Sequence, residues 1–257
     1  MTIGMKTLFL LVALCASVSV VAQPDFETTK ARAEAGDVSA QLLLGIMFGL
    51  GIGVAPNEIE EAKWFRSAAE QGNADAQAFL GTLYYSGRGV VQSYDHALRW
   101  YSLAASQGDA GAQSSLGLMY AKGEGVAQSD TQALRWYRLA AEQGDAAAQY
   151  RLAEYFRSGI AVETNNQEAA KWYRLAAVQG HALAQLNLGL IYFYGKGVAQ
   201  SKSTAYMWFA VAEAQGESLG SEGTEFMHYR ISIKSRERAK AQATRCLESK
   251  YQECVEL

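Results

Sequence analysis

The chain has 257 residues, with 23 Lys and Arg against 26 Asp and Glu and a net charge of −3. Apolar residues make up 49% and charged residues 19%, which excludes a disordered polyelectrolyte; the mild acidity, without any block of Lys or Arg, disfavours nucleic-acid binding. Only one apolar run approaches membrane-spanning length, and 24 Gly with 2 Pro fit a helical chain whose glycines serve turns or close helix contacts.

Met1 to Ala22 reads as a secretory signal. Lys6 supplies the positive start, Thr7 to Val21 is apolar or small, and Val20-Val21-Ala22 places small residues before a cut at Gln23. The apolar run is about 16 residues, short of the roughly 20 that span a bilayer, so cleavage is favoured over an anchor and no stable membrane insertion is expected afterwards. Cys15 follows Val12-Ala13-Leu14, and the bulky Leu argues against lipoprotein processing. The exported chain keeps Cys246 and Cys254, an even pair that suggests one disulfide.

From Gly36 onward the chain repeats. Glycines stand at Gly36, Gly72, Gly108, Gly144, Gly180 and Gly216, in steps of 36 residues. Ala40, Ala76, Ala112, Ala148 and Ala184 are each followed by Gln, and each Gln by a Leu three places on. All five tryptophans (Trp64, Trp100, Trp136, Trp172, Trp208) hold one position of the unit. Each unit divides into two helices. The first has an apolar stripe at helical spacing, as in Ala76, Leu80, Leu83 and Tyr84. Asp37, Asn73, Asp109 and Asp145 stand where a short acceptor caps free N–H groups. A Gly-x-Gly-Val turn ends it in four units, as in Gly87-Arg88-Gly89-Val90. The second helix carries Trp followed by Tyr or Phe and closes on small residues. A lone helix pair cannot bury its apolar face, but five stacked pairs can. The expected fold is all-α, a right-handed α/α superhelical solenoid.

The pattern Gly-Asp-Ala-x-Ala-Gln-x-x-Leu-Gly-x-x-Tyr-x-x-Gly-x-Gly-Val, closing with Ala-x-x-Trp-Tyr-x-x-Ala-Ala-x-Gln-Gly, resembles the Sel-1-like repeat, a relative of the tetratricopeptide repeat. On that frame, 1–22 is the signal, 23–35 an N-terminal capping helix, 36–215 five repeats, and 216–257 a closing loop and capping helix with the Cys pair. The fourth repeat departs from the pattern at Ala153 and Ala161, so an altered turn and wider helix spacing are expected there. Gly216 to Gly223 reads as a loop, and Glu225 to Lys250 as one or two charged helices. The Cys246–Cys254 spacing is similar to the staples of cysteine-rich relatives. On one straight helix the two would lie roughly 12 Å apart, beyond disulfide reach, so a turn is required near Ser249 to Tyr251.

Catalytic patterns are few. His96, His181 and His228 share no metal-ligand spacing with other donors, and neither a metal nor a cofactor is expected. Gly216-Glu217-Ser218-Leu219-Gly220 satisfies Gly-x-Ser-x-Gly, yet it follows a helix in a chain with no convincing strand. The Gly49 to Gly53 cluster lacks dinucleotide spacing. The tryptophans read as core. Lys63, Arg99, Arg135 and Lys171 read as a solvated face in preference to an anion-binding ridge.

The first-helix positions that do not repeat remain. The resemblance implies that first helices line the concave side, where the candidate partner-binding residues are Phe79, Tyr85, Tyr150, Arg151, Glu154, Arg157, Asn187, Phe193 and Tyr194. Aromatics and Arg dominate interface energetics; some of these side chains, the position-fourteen tyrosine above all, also suit packing between units. The expectation is a non-enzymatic exported module that binds another protein. Relatives of this type act as immunity proteins against secreted toxins such as phospholipases, as envelope-assembly adaptors and as signalling regulators. A periplasmic or secreted location is expected, since Glu256-Leu257 forms no retention signal. Some cysteine-rich relatives bind or hydrolyse penicillin-type substrates, but this chain lacks their per-repeat cysteine pairs.

Overall fold

The first helix of each repeat starts where its cap predicts. Asp37, Asn73, Asp109 and Asp145 each accept a hydrogen bond from the backbone N–H three residues on, at 3.0, 2.8, 2.6 and 2.7 Å. In the fifth repeat the same place is taken by His181, whose Nδ1 accepts from the Ala184 N–H at 3.2 Å. Each such helix stops at a glycine in left-handed conformation (Gly51, Gly87, Gly123, Gly159, Gly195), whose N–H bonds back to a carbonyl of the last turn.

The computed structural model describes residues 25–254, so the leader reading of Met1 to Ala22, with Cys15, lies outside the described residues. The helices in chain order are α1 (Phe26–Glu34), α2 (Val38–Leu50), α3 (Glu58–Glu70), α4 (Ala74–Ser86), α5 (Tyr94–Ser106), α6 (Ala110–Lys122), α7 (Asp130–Glu142), α8 (Ala146–Ser158), α9 (Asn166–Ala177), α10 (Ala182–Tyr194), α11 (Lys202–Ala214), α12 (Ser218–Met227) and α13 (Ile233–Glu248). No strand occurs among the described residues. The product is an all-α solenoid of helix–turn–helix units.

The described residues form two compact units, divided between Ser129 and Asp130. In the first, α1 to α6 pack in sequence. Phe26 of α1 meets Phe48 edge-on at 5.6 Å and closes the N-terminal side. In the second, α7 to α11 pack in sequence, and α12 and α13 both lie on α11.

Two devices join neighbouring helices. The first is a glycine set against a ring. A Cβ at Gly45, Gly81 or Gly189 would stand 2.6, 2.8 or 2.6 Å from Phe65, Tyr101 or Phe209, the residue after each Trp. In the fourth repeat Ala153 and Tyr173 take these places, both fully buried. The second is the glutamine row. Gln41, Gln77, Gln149 and Gln185 each donate to the carbonyl eight residues back, at 3.0–3.2 Å. Each also accepts from a Gln thirty residues on: Gln71 at 2.7 Å, Gln107 and Gln179 at 2.8 Å, and Gln215. A buried amide is thereby satisfied at both ends, as a buried polar group must be.

Two expectations meet the structure differently. The fourth-repeat turn is altered in part: Ala161 adopts φ 57, close to the φ 71, 68, 70 and 76 of its counterparts Gly53, Gly89, Gly125 and Gly197, but the bond by which the N–H of Ile52, Arg88, Glu124 and Lys196 reaches the carbonyl five residues back has no counterpart at Ile160 among the described residues. The loop is held at both ends, by Gly159 N–H to the Tyr155 carbonyl and Asn165 N–H to that of Phe156 (3.0 and 2.8 Å). A left-handed alanine costs roughly 1–2 kcal/mol, partly offset by the freedom a glycine adds to the unfolded chain. Ala161→Gly is therefore expected to raise stability by about 0.5–1 kcal/mol, read as a higher urea midpoint at unchanged slope. Second, Gly216 to Gly223 is not a loop, since α12 begins at Ser218. Its glycines allow close approach: a Cβ at Gly220 would lie 2.5 Å from the Glu213 backbone N, and one at Gly223 2.6 Å from the Phe209 ring.

At the C-terminal end Cys246 and Cys254 are bonded, with Cα atoms 4.5 Å apart. The reversal uses left-handed Lys250 and Tyr251, at φ 50 and 70. Tyr251 lays its ring against Gly180, 2.6 Å from where a Cβ would stand.

Candidate functional site

The variable positions of the first helices do two kinds of work. In the first unit, Phe79 is half-buried and stacks on Phe65 at 5.0 Å. Tyr85 donates its hydroxyl proton to Glu124 Oε2 at 2.7 Å, accepts from Lys122 Nζ at 3.2 Å, and leans on Tyr94 at 5.4 Å. Burial, aided by the Glu124 carboxylate, holds its phenol above the usual range. Both side chains link one repeat to the next.

In the second unit, Tyr150 stacks on His181 at 4.5 Å and touches Tyr173 at 5.9 Å. Arg151 is exposed, with its guanidinium 5.5 Å from the Tyr150 ring centre. Glu154 accepts from the Tyr173 hydroxyl and from Arg157 Nη2, the latter at 2.6 Å. Arg157 is itself exposed and reaches Tyr173 Oη at 3.1 Å. Asn187 donates to the Leu183 carbonyl at 2.9 Å. Phe193 packs edge-on against Phe226 at 5.4 Å, beside Tyr194, which is 63% exposed.

Arg151, Arg157 and Tyr194 thus face solvent. Phe79, Tyr85, Tyr150, Glu154, Asn187 and Phe193 are half-buried. Two exposed leucines of α10, Leu183 and Leu190, join this set in the structure. The sequence signal of Leu183 is at position four of the repeat, where it replaces Ser39, Asp75, Gly111 and Ala147; Leu190 stands at position eleven, in place of Ile46, Thr82, Leu118 and Glu154.

The other candidates have structural places. Trp208 is fully buried, Trp100 nearly so, and Trp64, Trp136 and Trp172 are half-buried. Lys63, Arg99, Arg135 and Lys171 are exposed. Lys63 and Lys171 pair with Glu60 and Glu168, at 3.0 and 3.5 Å, and lie over the adjacent indoles. Ser218 is the first residue of α12, without the strand that a nucleophile elbow needs. Among the described residues no cluster of three or more His, Cys, Asp or Glu is placed to hold a metal ion, and no helix is long and apolar enough to cross a membrane.

The Sel1 repeat pattern matches five consecutive segments, residues 38–73, 74–109, 110–145, 146–181 and 182–217. The chain belongs to the Sel1 repeat family. This Sel1 repeat chain is similar to a crystal structure of a protective antigen from uropathogenic Escherichia coli strains displaying an SLR fold. The identity is 34% and the TM-score 0.81, over 89% of this chain and 49% of that one. A Sel1 repeat protein from Oxalobacter formigenes is 32% identical, with a TM-score of 0.73 over 79% of this chain and 59% of that one. This chain therefore spans about half the length of the first and three-fifths of the second. A putative Sel1 repeat protein from Klebsiella pneumoniae shares the fold, at 21% identity and a TM-score of 0.51, over 79% of this chain and 99% of that one. No curated protein matches.

Proposed function

We propose that this Sel1 repeat chain is an exported binding protein that grips a polypeptide partner on the first-helix face of its second unit. One observation carries the reading. Arg151 and Arg157 of α8 and Leu183, Leu190 and Tyr194 of α10 are exposed at positions free to vary, on a frame whose core positions repeat. Arginine and aromatic side chains are the groups that anchor interfaces. Export is supported by the leader-like Met1 to Ala22 and by the disulfide, which persists in oxidising compartments. The 34% identical relative is a protective antigen, which supports the same placement. The role proposed is inhibitor or regulator of a secreted effector such as a phospholipase; envelope assembly or signalling is the alternative.

The test is capture from an envelope extract, then titration of the captured partner against variants. Arg151→Glu with Tyr194→Ala is expected to weaken binding at least about tenfold, with an unchanged melting curve; adding Arg157→Glu weakens it further. Unchanged affinity in a folded double variant would overturn the assignment of this face.

A further inference from the structure

The first unit holds a second feature, away from the variable positions of the first helices. A cavity of about 390 Å3 is lined by Arg66, Tyr84, Val90, Val91, Ser93 and His96. Three successive elements build it. Arg66 comes from α3, Tyr84 from the end of α4, and the rest from the following turn and the start of α5.

Its polar groups are fixed by one another. Arg66 Nη2 donates to Tyr84 Oη at 2.7 Å. The Tyr84 ring stacks on the His96 imidazole, with centres 4.8 Å apart and planes at 19°. Ser93 Oγ lies 2.8 Å from His96 Nδ1, which orients the imidazole and leaves Nε2 without a protein partner among the described residues. Arg66 makes no ion pair among the described residues. Beside these groups Val91 is 88% exposed, an aliphatic side chain that nothing in the unit covers.

Elsewhere the arginine recurs, and Arg174 donates to Tyr192 as Arg66 does to Tyr84, but the third position differs. Arg138, Phe156 and Glu168 put a carboxylate where His96 stands, and Arg174, Tyr192 and Thr204 put a hydroxyl there. Scaffold packing therefore does not require the histidine. In the first unit the lining offers a guanidinium, an imidazole and a hydroxyl against an aliphatic wall, with no acidic side chain.

We propose that this cavity binds a peptide carboxylate flanked by an aliphatic side chain. The guanidinium fork matches a carboxylate. The site is half-open, so solvent and salt screen its charge and a bare anion gains little; burial of an aliphatic group against Val90 and Val91 supplies the rest. The carboxylate comes from a chain end or from an acidic side chain. The proposal goes beyond the partner face described above, and its test needs no partner protein.

The test is a titration of the full exported chain, followed by NMR of the Val90 and Val91 methyls and the His96 ring. N-acetyl-leucine represents the chain end, N-acetyl-Glu-Leu-amide the acidic side chain, and N-acetyl-Gln-Leu-amide the uncharged control. At least one of the two acids is expected to shift all three residues, with a dissociation constant on the order of millimolar and at least tenfold tighter than the control. Arg66→Gln abolishes the shifts. Val91→Ser, at a side chain that packs on nothing, weakens them without touching the Arg66–Tyr84 bond. Equal binding of the control, tighter binding of inorganic phosphate than of either acid, or full binding by folded Arg66→Gln each overturns the proposal.

Discussion

Gly197→Ala is expected to lower stability by about 2–5 kcal/mol, the sum of a left-handed alanine and an overpacked contact. The glycine has φ +76, and a Cβ there would stand 2.3 Å from the carbonyl carbon and oxygen of Asn166 and 2.6 Å from Gln167 N. These are backbone atoms at the start of α9, in the preceding repeat, and they have no rotamer by which to move aside. The Gly-x-Gly turn is therefore more than a way to end a helix. At Gly197 and Gly89 the second glycine seats one repeat on the backbone of the one before, a Cβ at Gly89 lying 2.0 Å from the Glu58 carbonyl oxygen, whereas the fourth repeat accommodates a Cβ at this place in Ala161. Gly216→Ala is the control. That glycine also has positive φ, +87, but nothing lies within 4 Å of its Cβ position, so only the backbone term applies. Thermal melting should show a fall of roughly 5–15 °C for Gly197→Ala and clearly less for Gly216→Ala. Equal falls would mean that the neighbouring backbone yields and that the contact is not what the glycine protects.

Repetition makes the frame legible in the amino-acid order. Each hairpin must present the same surfaces to its neighbours, so the residues that cap, turn and pack recur at fixed steps. Asp37 and Gly87 can be assigned their work from the sequence alone. Residues used once are not legible in this way. Gly220 and Gly223 look like loop formers because glycine weakens an isolated helix; Gly223 packs on the Phe209 ring as Gly81 does on Tyr101, and Gly220 on the backbone of α11, both at shifted positions. Ala161 looks like a broken turn because the price of a left-handed alanine is visible in the sequence while the hydrogen bonds that hold its loop are not. The candidate partner face blurred for the same reason. Variation at Tyr85 reflects a private bond to Glu124, whereas variation at Arg151 leaves a charge in solvent. A list of variable positions cannot distinguish the two, because both escape the repeat.

Glu61 is another residue used once. It stands where the other repeats have Ala97, Ala133, Ala169 and Ala205. Its carboxylate fits because the facing position is Gly49, whose Cβ would lie 2.5 Å from Glu61 Oε1. The side chain is 5% exposed; Oε1 takes a hydrogen bond from Arg88 Nη2 at 2.5 Å, and Oε2 is buried without a partner among the described residues. Burial pushes the carboxyl above its usual value and the nearby Glu58 adds to this, while Arg88 pulls it down. A carboxyl raised in the folded state stabilises the fold most fully below the unfolded value, and that contribution is lost as pH rises through the folded value. Arg88→Ala removes the opposing charge, so the folded carboxyl is driven higher still. At pH 8 the variant must either bury an unpaired anion or take up a proton from dilute solution, at a cost of about 2–3 kcal/mol. At pH 5 the proton is available and most of the deficit disappears. Urea melts at the two pH values should therefore diverge from wild type on the alkaline side only. The double variant Arg88→Ala with Glu61→Ala should lose that pH dependence, because the titrating group is gone. A deficit of equal size at both pH values would show that Arg88 stabilises the turn by packing, and that the Glu61 carboxylate is not what it serves.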